Sequence, residues 1–273
     1  MKKQNREQVD LARSLLSAAA AGALMLCIPA QAQDCGDLEL TQSLSFEIMD
    51  GAGIACGPGG INAENSFARC YLPSAESFNV RCVDLAIEIN TGSDLPAALN
   101  IYIDIDGCPP THPDLDLVLL ASEPFIIPAG TFLELFEIEL SAPVMIKAGA
   151  SLVVELDYPP HTDGAVLPGM NNAGETGPTY IRSESCGLPD YVAICSLLFP
   201  RCDWVQVVRG EVPCPTDINN DGVTNVLDLI DLLLCFGLPA TPPCDTGQDV
   251  NGDGTVNVLD LIELLLAFGT ACP

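Results

Sequence analysis

The feature that most constrains this chain is an internal repeat near its C-terminus. The segment DINNDGVTNVLDLIDLLLCFG, residues 217–237, returns as DVNGDGTVNVLDLIELLLAFG, residues 249–269, in register. Each copy opens with a loop that has acidic residues at positions 1, 5 and 12, asparagine at 3 and 9, and glycine at 6. An apolar helical pattern follows. We expect each helix to begin near position 9 and to end at Gly237 or Gly269, where glycine accepts a left-handed backbone.

This loop spacing is typical of a twelve-residue calcium site. Oxygens at positions 1, 3 and 5 surround one side of the ion, position 7 offers a backbone carbonyl, and position 12 closes the shell. Without a cation, each pair of converging carboxylates costs on the order of 4 kcal/mol at ~4 Å and an effective dielectric of ~20. A single loop could be an Asx turn before a capped helix, but the tandem copies favour calcium. The sequence therefore predicts two Ca²⁺ ions, held by Asp217, Asn219, Asp221, Val223, Asn225 and Asp228, and by Asp249, Asn251, Asp253, Thr255, Asn257 and Asp260. Asn225 and Asn257 at position 9 act directly or through a water.

An EF-hand is the competing structure, and the segments before the loops argue against it. GEVPCPT precedes the first loop and GLPATPPCDTGQ the second, and such proline density disfavours the entering helix that an EF-hand needs. Position 12 is also Asp in both copies, where the EF-hand pattern has Glu. A loop followed by a helix, duplicated over residues 213–273, resembles a type I-like dockerin, the calcium-dependent module that attaches secreted enzymes and surface proteins to cohesin domains.

The dockerin resemblance implies a small all-α fold and a partner. Its contact positions correspond here to Val226, Leu227, Val258 and Leu259, and residues 211–273 contain no Lys, Arg or His. We therefore expect an apolar surface that binds a cohesin-like protein; the alternative is that the helices pack on the protein's own N-terminal domain. The resemblance also implies that the two ends of the module meet. Cys214 would then pair with Cys272, and Cys235 with Cys244.

Residues 1–32 are typical of a secretory signal peptide. They combine four basic residues, the apolar stretch LLSAAAAGALMLCI, and a small-residue cleavage site ending at Ala32. The alternatives are a retained membrane anchor and lipid attachment at Cys27. Cleavage would leave twelve of the thirteen cysteines, and an even number in a secreted or cell-surface protein favours disulfides. Eight of these precede residue 213, and their number alone allows about 105 pairings.

The mature chain is strongly acidic. The full chain carries a net charge of −27, and the leader contributes four basic and two acidic residues, so −27 − 2 gives −29 after cleavage. Nucleic acid and anionic lipid would be repelled by such a chain, which excludes both as expected partners.

Residues 33–212 indicate an antiparallel, jelly-roll-like β-sandwich. Short β-rich segments separated by turn residues recur without a long helical pattern; we predict strands at 40–48, 78–89, 99–105, 117–127, 132–140, 151–158, 179–184 and 203–212. The order of the phrases NIYIDIDG, LLASEPFIIPAG, IELSAPVMIKAGASLVVEL and GMNNAGETGPTYIRSESCG is similar to that of the jelly-roll accessory domains found beside anchoring modules in secreted bacterial proteins.

Few residues of this sandwich indicate catalysis. We expect His112 and His161, in proline-rich loops, to be solvated, and Glu88 and Asp104 to face water. Trp204 is expected to pack rather than to form a platform for sugars. The sequence therefore favours a non-catalytic protein that a dockerin attaches to a partner. The alternative is that the dockerin carries a carbohydrate-binding module or a small polysaccharide-active enzyme.

Overall fold

The computed structural model describes residues 35–57, 61–74, 77–199, 202–219, 222–242, 244 and 247–272. The predicted signal peptide, Cys27 and the predicted calcium ligand Asp221 lie outside these residues. The strands are β1 (Leu38–Thr41), β2 (Asn65–Tyr71), β3 (Phe78–Asn90), β4 (Leu95–Asp104), β5 (Leu117–Ile127), β6 (Phe132–Ile146), β7 (Ser151–Tyr158), β8 (Val166–Pro168), β9 (Met170–Asn171), β10 (Thr179–Ser183), β11 (Leu188–Ala193), β12 (Asp203–Trp204) and β13 (Gln206–Glu211). Two α-helices follow, α1 (Val226–Leu234) and α2 (Val258–Leu266).

Two antiparallel sheets enclose a common apolar core. One has the order β1-β13-β3-β6, with β8 paired to β3, and the other has the order β11-β10-β2-β7-β4-β5. Side chains alternate along each strand, so that Leu152, Val154 and Leu156 of β7 face the same core as Val83 and Leu85 of β3. The chain is therefore mainly β, and its paired sheets fit the predicted sandwich class.

Several strand predictions need correction. β2, β8, β9 and β11 were not expected, β6 extends to Ile146, and residues 42–48 are not a strand. In that last segment Asn171 Nδ2 donates to the carbonyls of Ser45 and Glu47 at 3.1 and 2.9 Å, so a side chain occupies acceptors that a strand ladder would use. Leu44 and Phe46, which the alternating pattern of LTQSLSFEI suggested would enter the core, are exposed.

β2 escaped prediction because its sequence, NSFARCY, is half polar although all seven residues are buried. Arg69 is fully buried and forms a 3.1 Å ion pair with Glu175. Its guanidinium also donates to the carbonyls of Trp204 and Gly177, at 3.0 Å each. A buried charge requires such partners, and these three lie more than a hundred residues away along the chain, while a fourth, Gln42 Oε1, accepts from Nη1 at 3.3 Å.

Six disulfides cross-link the described residues. The four disulfides of the β-rich part are Cys35–Cys82, Cys56–Cys186, Cys70–Cys108 and Cys195–Cys202. The spacing of these cysteines in the sequence did not predict their pairing. The other two are Cys214–Cys272 and Cys235–Cys244. These are the two pairings that the sequence predicted for the C-terminal segment, and they are compatible with an extracellular protein.

The C-terminal segment has its own apolar cluster. Leu232 of α1 and Leu264 of α2 are buried together with Val256 and the Cys235–Cys244 bridge. Both helices are nine residues long, and Gly237 and Gly269 follow them in the predicted left-handed conformation, with φ of 81° and 83°. Among the described residues, neither helix is long and apolar enough to span a membrane.

Candidate functional site

The second repeated loop, Asp249–Asp260, is closed by hydrogen bonds to its first and last carboxylates. Asp249 Oδ2 accepts from Gly254 N at 2.8 Å, and its Oδ1 accepts from Asp253 N at 3.0 Å. Asp260 Oδ1 accepts from Asn251 N at 3.0 Å, and its Oδ2 accepts from Asn257 N at 2.7 Å. The carboxylates of positions 1 and 12 are therefore both fixed by backbone amides of the same loop.

The first loop, Asp217–Asp228, repeats three of these bonds at the same positions. Gly222 N donates to Asp217 Oδ2 at 2.8 Å, while Asn219 N and Asn225 N donate to the two oxygens of Asp228 at 3.1 and 2.7 Å. Because the sequence repeat is reproduced bond by bond, the similarity of the two loops extends to their three-dimensional structure.

Glycine at position 6 of each loop adopts the left-handed backbone conformation that the sharp turn requires. Gly222 and Gly254 have φ of 86° and 93°, in the left-handed region that side chains with a Cβ rarely adopt. Asparagine at position 9 caps each helix: Asn225 Oδ1 and Asn257 Oδ1 both accept from the backbone N–H two residues later, at 2.8 Å. The same side chains donate from Nδ2 to the position 7 carbonyls of Val223 and Thr255, at 2.9 Å each.

Each loop is also bonded to the end of the other repeat. Thr224 N donates to Thr270 O at 3.0 Å and Thr224 O accepts from Gly269 N at 2.8 Å, both just after α2. Val256, the position equivalent to Thr224, makes the matching pair of bonds with Leu238 O at 3.0 Å and Gly237 N at 2.7 Å, just after α1. Thr224 departs from the apolar Val256 because its buried hydroxyl forms a 2.7 Å hydrogen bond with Thr216 Oγ1.

The donor set of these loops fits a hard divalent cation. Carboxylate, amide and backbone carbonyl oxygens are the ligands that Ca²⁺ prefers. Asp228 and Asp260 are fully buried, and the segment from residue 211 to 273 supplies no basic side chain to balance them. A buried carboxylate is costly unless an opposite charge or a metal compensates it, and a bound cation would meet that requirement in both loops.

The apolar side chains of α1 and α2 that do not enter the shared cluster are exposed. Leu227 is 51% exposed and its counterpart Leu259 is 53% exposed, and Val226 and Val258 are exposed to a similar extent. The same symmetry holds further along each helix, and we call this set the helical apolar face: Val226, Leu227, Ile230, Leu233, Leu234 and Phe236, with Val258, Leu259, Ile262, Leu265, Leu266 and Phe268.

Three expectations about polar residues of the sandwich are wrong. His161 is buried rather than solvated, with Nε2 3.2 Å from Asn90 Oδ1. Glu88 does not face water: it is buried and accepts hydrogen bonds from the backbone amides of Gly51 and Gly53, which fixes the loop after residue 49. Asp104 is also buried, and burial, together with the neighbouring Asp106 carboxyl, raises its pKa to about 6. His112 is partly exposed, and its Nδ1 accepts from Asp114 N at 3.1 Å.

The tryptophan and all five tyrosines of the chain are buried. Trp204 is fully buried and donates from its indole nitrogen to Ala86 O at 3.1 Å, so the expectation that it packs is confirmed. The tyrosines, none more than 8% exposed, are Tyr71, Tyr102, Tyr158, Tyr180 and Tyr191. A flat exposed ring of either residue type, on which a sugar could stack, is therefore not available among the described residues.

Sequence reasoning missed one group of carboxylates, Asp104, Asp106 and Asp116, whose oxygens lie within 4.8 Å of one another. Acidic residues are so frequent in this chain that their number carried no signal. The spacing of Asp104 and Asp106 before Gly107 could have drawn attention to the turn, but the position of Asp116 depends on the pairing of β4 with β5. Two other acidic groups include cysteines that are held in disulfides and are not free to bind metal.

No protein-family model and no curated protein match this chain. Among solved structures it is similar to the cysteine protease and lectin-like domains of Cwp84, a surface layer associated protein of Clostridium difficile, with 12% identity and a TM-score of 0.37. That match covers 56% of this chain and 33% of the other. An aminopeptidase from a marine sediment archaeon matches with 17% identity, a TM-score of 0.25, and coverage of 34% of this chain and 18% of the other. The chain thus spans about a third or less of these proteins, and scores this low carry no argument about function.

Proposed function

We propose that this is a secreted, non-catalytic protein whose C-terminal segment, residues 213–273, is a dockerin-type module that folds around two Ca²⁺ ions and attaches the β-rich domain to a cohesin-like protein. The six positions of each repeated loop would hold one ion. The observation that carries the proposal is the pair of loops with matching hydrogen bonds, each followed by a helix whose apolar residues are exposed to matching extents.

Burial and charge support the metal requirement. The shared cluster of the segment contains few apolar side chains, and a module of about 60 residues is marginal on burial alone. Two disulfides contribute, but Asp228 and Asp260 remain buried without a basic residue in their own segment. A cation in each loop would turn carboxylate repulsion into attraction and fix the entry of each helix.

The helical apolar face supports a partner from outside the chain. Contiguous exposed apolar surface is typical of interaction sites, and here it is duplicated with the repeat. The alternative occupant, the protein's own β-rich domain, leaves much of this face exposed in the structure, since Leu227 and Leu259 remain 51% and 53% exposed. Delivery of a carbohydrate-binding module is the less favoured function, because the buried tyrosines and Trp204 provide no stacking platform.

A capture experiment tests the proposal. The full chain is immobilised and incubated with the surface fraction of the cells that produce it, in calcium or in excess chelator. We expect one partner to be retained in calcium and released by chelator. Retention should be lost in a Leu227→Glu, Leu259→Glu double variant. It should persist in Leu119→Glu, which changes a residue of matched exposure, 52%, on β5. Failure to retain any protein in a calcium-dependent manner would refute the attachment function.

Secretion is tested separately. N-terminal sequencing of the protein recovered from the culture medium or the cell surface should begin at Gln33, one residue after the predicted cleavage site. A chain that still begins at Met1, or that fractionates with the cytoplasm, would contradict the proposed localisation.

A further inference from the structure

The most exposed apolar side chains of the β-rich domain share one end of the sandwich. Among its described residues, the five large apolar side chains with the greatest exposure lie between 64% and 92% exposed. We call this set the apolar loop end: Leu44, Leu72, Ile105, Leu115 and Leu198. Single exposed apolar residues are common on protein surfaces, whereas exposed apolar residues that gather in one place mark interaction sites.

The strand registers place three of these residues at the same end. Tyr71, the last residue of β2, and Ile103 of β4 are both opposite Leu152, near the start of β7. The two strands therefore end side by side, and the segments that follow them begin at the same end of the sandwich. Those segments carry Leu72, Ile105 and Leu115.

The other two residues reach this end from the neighbouring strands. β10 begins beside the end of β2, and β11 ends beside the start of β10. The segment after β11 is closed by the Cys195–Cys202 disulfide and carries Leu198. Leu44 lies nearby, because Leu44 N donates to Gly174 O at 3.2 Å and the adjacent Glu175 Oε1 is 3.8 Å from Cys195 Sγ.

The connection between β4 and β5 is held in place although it exposes two apolar residues. The Cys70–Cys108 disulfide bonds it to β2, and Thr111 O accepts from Tyr191 N of β11 at 2.9 Å. Within the connection, Ile105 N donates to Asp116 O at 3.0 Å. A surface that is fixed before binding loses less conformational entropy when a partner binds.

Leu198, the most exposed of the five, has an unusual backbone. Its φ is 66°, in the left-handed region that residues with a Cβ rarely adopt. Its N–H donates to Cys195 O at 3.4 Å, inside the segment that the Cys195–Cys202 disulfide closes. Such a conformation persists only where the surrounding structure enforces it, and it is frequent at binding sites.

Acidic residues flank two of the exposed apolar residues. The segments DID, residues 104–106, and DLD, residues 114–116, place an aspartate on each side of Ile105 and of Leu115. One aspartate of each segment is exposed. No ion pair of the described residues involves any of these four carboxylates. An occupant that covers the apolar residues must therefore compensate negative charge, because a carboxylate that is buried without a counter-charge is costly.

Charge selects among the possible occupants. A second copy of the chain would bring its own net charge of −27, and nucleic acid and anionic lipid would also be repelled. A neutral bilayer could cover the leucine side chains but would provide no compensating charge for the aspartates beside them. A protein segment that presents Lys or Arg next to apolar side chains matches both features of the surface.

We propose that the apolar loop end binds a cationic amphipathic segment of another protein, in which Lys or Arg residues are interspersed with large apolar ones. The apolar side chains of the segment cover the exposed leucines, and its basic groups pair with the aspartates that flank Ile105 and Leu115. This second interaction surface is separate from the helical apolar face, and it does not depend on calcium or on the proposed function of the C-terminal segment.

A defined probe tests the surface on the full chain. The probe is a short synthetic peptide of leucine and lysine in an amphipathic helical order, and its binding is measured by calorimetric titration. We expect binding that weakens as salt is added, because salt screens the charge attraction. A peptide with serine in place of leucine, and one with glutamate in place of lysine, should each bind weaker by about tenfold or more.

Variants locate the bound peptide. Ile105→Ser combined with Leu115→Ser should weaken binding by about tenfold or more, since both apolar contacts are lost while the exposed positions leave the fold intact. The matched control is Ile126→Ser combined with Phe132→Ser, which changes side chains 51% and 50% exposed at the opposite end of the sandwich. This control should bind the peptide as the wild type does.

Two further pairs of substitutions separate charge from location. Asp106→Asn with Asp114→Asn should weaken binding at low salt and approach the wild type at high salt. Leu227→Ser with Leu259→Ser, on the helical apolar face, should leave binding unchanged.

Three results would overturn the proposal. If the leucine–lysine peptide does not bind, the apolar loop end is refuted. If the helical variant loses binding while the Ile105, Leu115 variant keeps it, the peptide occupies the helical apolar face; the loop end is then refuted and the attachment function is not. If neutral phosphatidylcholine vesicles bind the wild type but not the Ile105, Leu115 variant, the surface contacts a membrane instead of a cationic protein.

Discussion

Replacing Asp260 by asparagine separates the two contributions that this residue makes to the C-terminal segment. Its carboxylate accepts hydrogen bonds from Asn251 N and Asn257 N, at 3.0 and 2.7 Å. Asparagine keeps one acceptor oxygen, so it loses one hydrogen bond, about 1 kcal/mol, and without the ion it also relieves the repulsion between the carboxylates of the loop, which offsets that loss. Loss of a bound ion costs about 4 kcal/mol more when free calcium stands ~1,000-fold above the dissociation constant.

Amide hydrogen exchange of the full chain, read by mass spectrometry on peptides that cover α2, measures both contributions. In excess calcium we expect the substitution to speed exchange of α2 by roughly three orders of magnitude or more, because about 1.4 kcal/mol corresponds to tenfold in an opening equilibrium. In chelator the same substitution should not speed exchange by more than about tenfold, because the lost hydrogen bond is offset by the relief of carboxylate repulsion. Glu263→Gln removes an exposed charge from the same helix and should change neither rate appreciably.

The reasoning would be refuted by equal exchange of the wild-type helices in calcium and in chelator. It would also be refuted if Asp260→Asn had the same effect in both conditions, because the residue would then act through its hydrogen bonds alone.

Three further predictions concern stability. Leu264→Ala, at a fully buried position, should lower the free energy of unfolding by about 2–5 kcal/mol in denaturant titrations, whereas Leu259→Ala should change it by less than about 0.5 kcal/mol; equal effects would contradict the assigned core. Replacing both cysteines of the Cys214–Cys272 bridge, which closes a 58-residue span, should cost up to about 4 kcal/mol by chain entropy, as measured by thermal melts of the C-terminal helices. Burial raises the pKa of Glu155, so the folded state binds more protons than the unfolded state, and its stability falls as pH rises above the ordinary pKa of about 4.3. The free-energy advantage of Glu155→Gln over wild type should therefore grow with pH. A difference that stays constant with pH would exclude this coupling.

Local sequence patterns predicted the helices of the C-terminal segment because the start and the end of each helix depend on residues within one repeat. The left-handed glycines lie within one repeat, whereas the pairings Cys214–Cys272 and Cys235–Cys244 were implied by the dockerin resemblance. The strands β5 and β7 were also predicted to the residue, since each is a continuous apolar or alternating segment between turn residues.

The rest depends on residues distant in the chain. β2 is a central strand although Arg69 lies in it, because the partners of that guanidinium come from residues 42, 175, 177 and 204. His161 is buried, and the amide oxygen of Asn90, 71 residues earlier, accepts a hydrogen bond from its ring nitrogen Nε2. Asp116 joins Asp104 only through the pairing of two strands. The propensities of single residues do not predict contacts between residues so far apart in the chain.

The crossed backbone bonds between the repeats have a consequence for how the segment could have arisen. Thr224 is bonded to residues after α2, and Val256 to residues after α1. A chain that stopped at Gly237 would contain a complete loop and helix and still lack the partners of Thr224, while Gly237 would lose the acceptor that Val256 supplies. The smallest closed structure is therefore the tandem pair, and an ancestral single copy would have needed a second polypeptide, bound as a dimer, before duplication joined the two halves in one chain.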